Sequence, residues 1–108
     1  MAAPDLTIKQ GDTWPPLAAI LSDANGPIDL STATTIEIWM KGISGTVVSG
    51  LCTPVDAAAG SIIYSWGPTD TAVPDTYNVE FEITWSGGGE ETVPNDSYRQ
   101  ILVFPELG

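Results

Sequence analysis

The chain has 108 residues, 43% of them hydrophobic and 16% charged, which is enough for one core and not for two. Fourteen Asp and Glu oppose Lys9, Lys41 and Arg99 for a net charge of −11, which repels phosphate backbones and anionic lipid surfaces; no nucleic-acid or membrane partner is expected on that ground. Nine prolines and eleven glycines scattered between apolar runs break the chain too often for helices, so the expected class is all-β.

Leu6 to Lys9 alternates and runs into G-D-T-W-P-P, where the glycine and paired prolines block a helix. A first short strand is expected there. Leu17 to Ser22 reads as a second strand, stopped by D-A-N-G-P, in which Asn25-Gly26 is a turn signal. Thr35 to Lys41 is the third, with Ile36, Ile38 and Met40 on one face and Glu37, Trp39 and Lys41 on the other. Gly42 to Gly45 turns the chain into a fourth, Val47 to Thr53, where Gly50 suggests a bulge. Ala57-Ala58-Ala59 offers one turn of helix at most, and Ser61 to Trp66 is a fifth strand rich in aromatic and β-branched residues.

The clearest pattern is Tyr77 to Trp85. Tyr77, Val79, Phe81, Ile83 and Trp85 share one parity; Asn78, Glu80, Glu82 and Thr84 share the other. A strict period of two belongs to a strand with one buried and one wet face, because successive side chains of an extended backbone point opposite ways. Ser86 to Gly89 closes a hairpin into Glu90–Val93, and Tyr98 to Phe104 is the last run. Seven or eight strands bounded by turn residues indicate a β-sandwich or small barrel.

Chemistry is sparse. The chain contains no histidine, which removes the commonest general base and metal ligand and the usual catalytic triads. Glu80 and Glu82 share a face, but residues i and i+2 of one strand lie side by side instead of facing across a cleft. No catalytic residue, cofactor site or metal site is assigned, and the expectation is a non-enzyme. Cys52 is the only cysteine, so no internal disulfide forms, and its place on a strand makes it a buried, inert thiol. Asp23, Asp29, Asp70, Asp75 and Asp96 fall in or near loops and invite calcium, yet loop aspartates more commonly cap their own turns.

The N-terminus has no basic start followed by a long apolar run, and nothing approaches eighteen consecutive apolar residues. A soluble protein made in the cytoplasm is expected.

Several stretches carry a resemblance. They are Lys9-Gln10-Gly11-Asp12-Thr13 with Pro15-Pro16-Leu17; Leu21 to Ala33, a strand, a turn and an apolar-Asp-Leu-Ser-x-Ala step; Gly60 to Trp66; Asp70 to Tyr77; Glu80 to Ile83; and Val93 to Tyr98. In this order they resemble the immunoglobulin-like domain at the N-terminus of the upper baseplate protein of tailed bacteriophages and of related phage virion proteins. The family usually has a glycine just ahead of the tyrosine, where this chain has Asp75-Thr76-Tyr77.

The resemblance implies a single immunoglobulin-like domain over residues 1–108, an antiparallel β-sandwich of seven to eight strands with short extended termini. It also implies a structural protein of the virion, made in the host cytoplasm, acting in capsid decoration or as a minor capsid, tail or baseplate component. Its partners would be major capsid or tail proteins, or further copies of itself as a homo-oligomer. Alternatives are a carbohydrate-binding module for host-surface attachment, with Trp14, Trp39, Trp66 and Trp85 as stacking platforms, and an acidic mimic of DNA.

Two groups of residues are singled out. Tyr77 starts a late strand, where a tyrosine in an immunoglobulin-like sandwich folds its hydroxyl back to an upstream backbone group, and Asp75 sits in that corner. Trp66 and Trp85 share the parity of their strands' apolar residues and belong in the core. Trp39 lies out of phase with Ile36, Ile38 and Met40, so it either points outward as a contact residue beside Glu37 and Lys41 or is covered by a loop of the same chain. With Glu80 and Glu82 on the wet face of the Tyr77 strand, these are the candidate contact residues.

Overall fold

The computed structural model describes residues 5–94 and 99–107; Pro4, Asp96 and Tyr98 therefore lie outside the described residues. The chain is an all-β sandwich. One layer is a six-stranded sheet built from β1 (Leu6–Lys9), β5 (Ala33–Gly42), β6 (Val47–Leu51), β9 (Asp75–Trp85), β10 (Glu90–Val93) and β11 (Arg99–Phe104), in the order β1-β11-β9-β5-β6 with β10 also on β9. The other is the three-stranded sheet β2-β8-β7, from Leu17–Ile20, Ser61–Tyr64 and Thr53–Asp56. A small hairpin of β3 (Ser22–Asp23) and β4 (Gly26–Pro27) stands apart, and Ala57–Ala59 forms one 3-10 turn. No helix among the described residues is long and apolar enough to cross a membrane.

β9 is the centre of the larger sheet because both of its edges are paired along its length. β5 runs antiparallel along one edge from Trp85 to Tyr77, and β10 and β11 share the other edge end to end. The alternation read from the sequence is the alternation seen. Tyr77, Val79, Phe81 and Ile83 are buried, while Asn78, Glu80, Glu82 and Thr84 are half-buried on the outer face. On β5, Ile36, Ile38 and Met40 point inward beside them. Facing them from the smaller sheet are Leu17, Ile62 and Tyr64, with Leu21, Ile28, Leu30 and Trp66 from the connections, in one contiguous core. Gly50 marks a close approach of the two layers, since a Cβ there would lie 2.6 Å from the Tyr64 ring and hydroxyl.

Four expectations need correction. The sheet is mixed, not purely antiparallel: β1 pairs with β11 in parallel, Leu6 opposite Ile101 through Lys9 opposite Phe104. Strands from opposite ends of the chain are free of the short connection that forces antiparallel pairing. Val47 to Thr53 is two strands, because the chain leaves β5 at Leu51 and joins β8 from Thr53, changing sheets around buried Cys52. Gly50 carries no bulge; the register slips instead at Ala33/Thr35 and Pro54/Asp56. Leu17 to Ser22 likewise ends as β2 at Ile20, and Ser22 turns away to start the small hairpin.

Candidate functional site

The corner at the start of β9 is a structural anchor. The Tyr77 hydroxyl donates to the Val73 carbonyl at 2.7 Å, while the ring is fully buried. That ties the connection arriving from the smaller sheet to the strand it feeds. Burial, and secondarily the Asp75 charge, pushes the phenol above its ordinary pKa. Asp75 holds the neighbouring turn: its Oδ2 accepts from the Ser44 backbone N–H at 3.0 Å and the Ser44 hydroxyl at 2.6 Å, and its Oδ1 from the Thr76 N–H at 2.8 Å. These bonds hold its carboxyl below the usual range, the Ser44 hydroxyl contributing most. A Cβ at Gly42 would press within 2.3 Å of the Asp75 carboxylate, so a larger residue there would force that side chain to move.

Asp23, Asp29 and Asp70 are occupied in the same way. Asp70 accepts from the Tyr64 hydroxyl at 2.5 Å and the Gly67 N–H at 2.7 Å, Asp23 from the Asn25 N–H, and Asp29 from the Ser31 N–H and hydroxyl. Each acts as a turn cap. Among the described residues no three acidic or sulfur ligands stand together as a metal site. Cys52 is buried, and desolvation pushes its thiol up to about 12, so it is protonated and unreactive at neutral pH.

The tryptophans divide. Trp66 is core, its Nε1 donating to the Pro15 carbonyl at 3.0 Å and its ring edge-on to Tyr64. Trp85 packs half-buried against the core cluster, whereas Trp14 is 77% exposed. Trp39 is 40% exposed on the outer face of the larger sheet. No loop hides it.

That face gathers all five candidate contact residues. In register across it, Trp39 lies opposite Glu80, Glu37 opposite Glu82, and Lys41 opposite Asn78. β10 adds Thr92 opposite Glu82, and β6 adds Val47 opposite Lys41 and Leu51 opposite Glu37. The Trp39 Nε1 donates to Glu37 Oε1 at 3.0 Å, so its one polar atom is already satisfied and the ring presents carbon. Beside it a groove of about 570 Å³ opens between Trp39, Lys41 and Val47 on one side and Asn78, Glu80 and Glu82 on the other.

Electrostatically the face is strained. Glu37 and Glu82 are like charges directly opposite, an arrangement that destabilises a sheet. A hydrogen bond with Glu90, then desolvation, then the charges of Glu90 and Glu37 raise the Glu82 carboxyl above its ordinary pKa. Val47, Leu51, Thr92 and Glu90 are members of this face that the sequence reading did not single out. The hairpin Ser86–Gly89 is the signal that could have found two of them, since it lays Glu90 opposite Thr84 and Thr92 opposite Glu82.

No known protein-family model and no curated protein matches the chain, so the site is interpreted from its own geometry.

Proposed function

We propose that this chain is a non-enzymatic structural protein of a tailed-phage virion, made in the host cytoplasm, which docks on other virion proteins through the outer face of its larger sheet. The observation that carries the reading is Trp39. A half-exposed indole whose N–H is already bonded within its own strand gains little from water and much from a partner that covers it. Val47 and Leu51, exposed on the adjoining edge strand β6, widen the apolar part of that surface.

The connectivity supports an immunoglobulin-like form of the sandwich. If β2, β8 and β7 take the places of strands B, E and D, then β11, β9, β5 and β6 fall in the order G, F, C and C′, the order of a variable-type domain. The Tyr77 hydroxyl bond falls where that fold has its tyrosine corner, near the start of strand F. The stretches resembling phage baseplate and virion domains supply the rest of the reading. Repetition on a symmetric particle lets a modest interface suffice, because weak contacts add through multivalency.

Mass spectrometry of purified particles with quantified copy number tests this. Hundreds of copies would mean capsid decoration, and a small multiple of three or six would mean tail or baseplate. Absence from the particle would defeat the proposal.

The same ring favours a second reading, a carbohydrate-binding module, because a half-exposed indole beside Asn78 and two carboxylates is a surface on which a sugar can stack and hydrogen-bond. Saturable quenching of tryptophan fluorescence by host cell-wall sugars, lost in Trp39→Ala, would select it over docking.

A further inference from the structure

The docking reading leaves open what the partner brings, and the groove beside Trp39 narrows it. Its floor is the outer face of a sheet, so its chemistry is set by cross-strand rows. One row holds Trp39 and Glu80; the next holds Glu37, Glu82 and Thr92. The carboxylates therefore lie along one flank of the indole, within side-chain reach of a group resting on the ring, since directly opposed and diagonal neighbours on a sheet face are separated by only about 5–8 Å. Lys41 is the cation on these two strands; it stands opposite Asn78, in the row beyond Trp39 and Glu80 and on the other side of that row from Glu37 and Glu82. The hydrogen bond from Trp39 Nε1 to Glu37 Oε1, at 3.0 Å, ties the edge of the ring to that acid.

An anion is repelled here, and a neutral apolar side chain would cover the ring while leaving opposed carboxylates to repel one another in a drier setting. A metal ion has no cluster of three ligands to hold it among the described residues. A planar cation satisfies all the features together, because it can stack on the indole and fork its N–H donors to a carboxylate at the edge of the stack.

Resting on the docking reading, we propose that the groove between Trp39 and the Glu80–Glu82 row is an arginine site, filled by a guanidinium on an extended segment of the neighbouring virion protein. The segment's flanking apolar side chains lie over Val47 and Leu51, where the groove meets the terminal strand of the sheet. Lysine serves less well, since its ammonium is a strongly hydrated point charge that cannot both stack and fork. Strain supplies part of the preference: a cation between Glu37, Glu80 and Glu82 removes a repulsion that the free protein carries.

The test uses the full chain and short synthetic peptides alternating arginine with valine, lysine with valine, and glutamate with valine, measured by calorimetry at low and physiological salt. Binding is expected for the arginine peptide, several-fold weaker binding for the lysine peptide, and none for the glutamate peptide. Trp39→Ala and the double variant Glu80→Gln/Glu82→Gln should each weaken arginine-peptide binding about tenfold. Trp39→Phe, which keeps a ring and guards against misfolding, should weaken it less. A charge-matched control away from the groove, Asp56→Asn/Glu106→Gln, should change it less than twofold. Equal losses in the control, equal binding of arginine and lysine peptides, or no binding at all would each overturn the proposal. Presence in the particle is measured separately, so the arginine site and the virion reading can fail independently.

Discussion

Tyr77→Phe is the most informative single change to the fold, because it removes one oxygen and leaves the ring in place. The hydroxyl lost donates to the Val73 carbonyl at 2.7 Å, and the ring it sits on is fully buried. A neutral intramolecular hydrogen bond contributes about 1 kcal/mol net, and an orphaned buried acceptor costs more. Val73 is 41% exposed, so its carbonyl can recover water, and the loss should stay close to 1 kcal/mol. With an unfolding entropy of about 2.1 cal/mol/K per residue, 108 residues give roughly 0.23 kcal/mol/K, so the melting temperature should fall by about 4 °C. Urea unfolding followed by tryptophan fluorescence should show a lower midpoint at unchanged slope. Tyr77→Ala, which also empties the core beneath the corner, should cost about 3–5 kcal/mol. If Tyr77→Phe melts with the parent protein, the corner bond does not hold the two sheets' connection, and the anchoring role given to it here is wrong.

Other changes probe other parts of the account. Gly60 has φ 73° and its Cβ would lie 2.7 Å from the Leu21 carbonyl and 2.9 Å from that of Ile28. Both are backbone atoms, so Gly60→Ala should destabilise by about 2 kcal/mol or more in the same unfolding assay. Glu82→Gln should stabilise the fold at neutral pH and do little in acid: the folded-state pKa is raised, so the native protein holds its proton longer than the unfolded chain, and the parent loses stability as pH climbs from the ordinary carboxyl range through the raised value. Asp75→Asn should show the opposite profile, because the Ser44 bonds lower the Asp75 pKa, and the stability they give is present above the ordinary carboxyl range and lost as pH falls through the folded value. Cys52, with its thiol pushed up to about 12, should resist iodoacetamide at pH 8 in the folded protein and react once urea exposes it.

The strand that organises the molecule was legible because its pattern is strict: every second residue from Tyr77 to Ile83 is buried, and a one-residue slip would turn all of them outward. The outward turn of Trp39 was legible for the same reason. The sheet change at Cys52 was not, because Val48 and Cys52 keep one parity across it and only the pairing partner changes, from β5 to β8. Pairing is a long-range property that periodicity does not encode. The same holds for β1 and β11, which meet in parallel across most of the chain. The site was half legible. Glu37, Trp39, Lys41, Glu80 and Glu82 could be assigned to wet faces one strand at a time, whereas the groove exists only because β5, β9, β10 and β6 lie in one register. Asp75 shows a further limit: in the sequence it stands where the resembling family has a glycine nearby, and only the fold reveals that it caps the turn at Ser44.

Hydroxyl-radical footprinting of the protein, isolated and in purified particles, tests the docking face most directly, because two exposed indoles act as probe and internal standard. Trp39 lies on the proposed contact face, and Trp14, 77% exposed, lies in the turn between β1 and β2. The account predicts that Trp39 oxidation drops in the particle while Trp14 oxidation is unchanged. Equal oxidation of Trp39 in both states would contradict it.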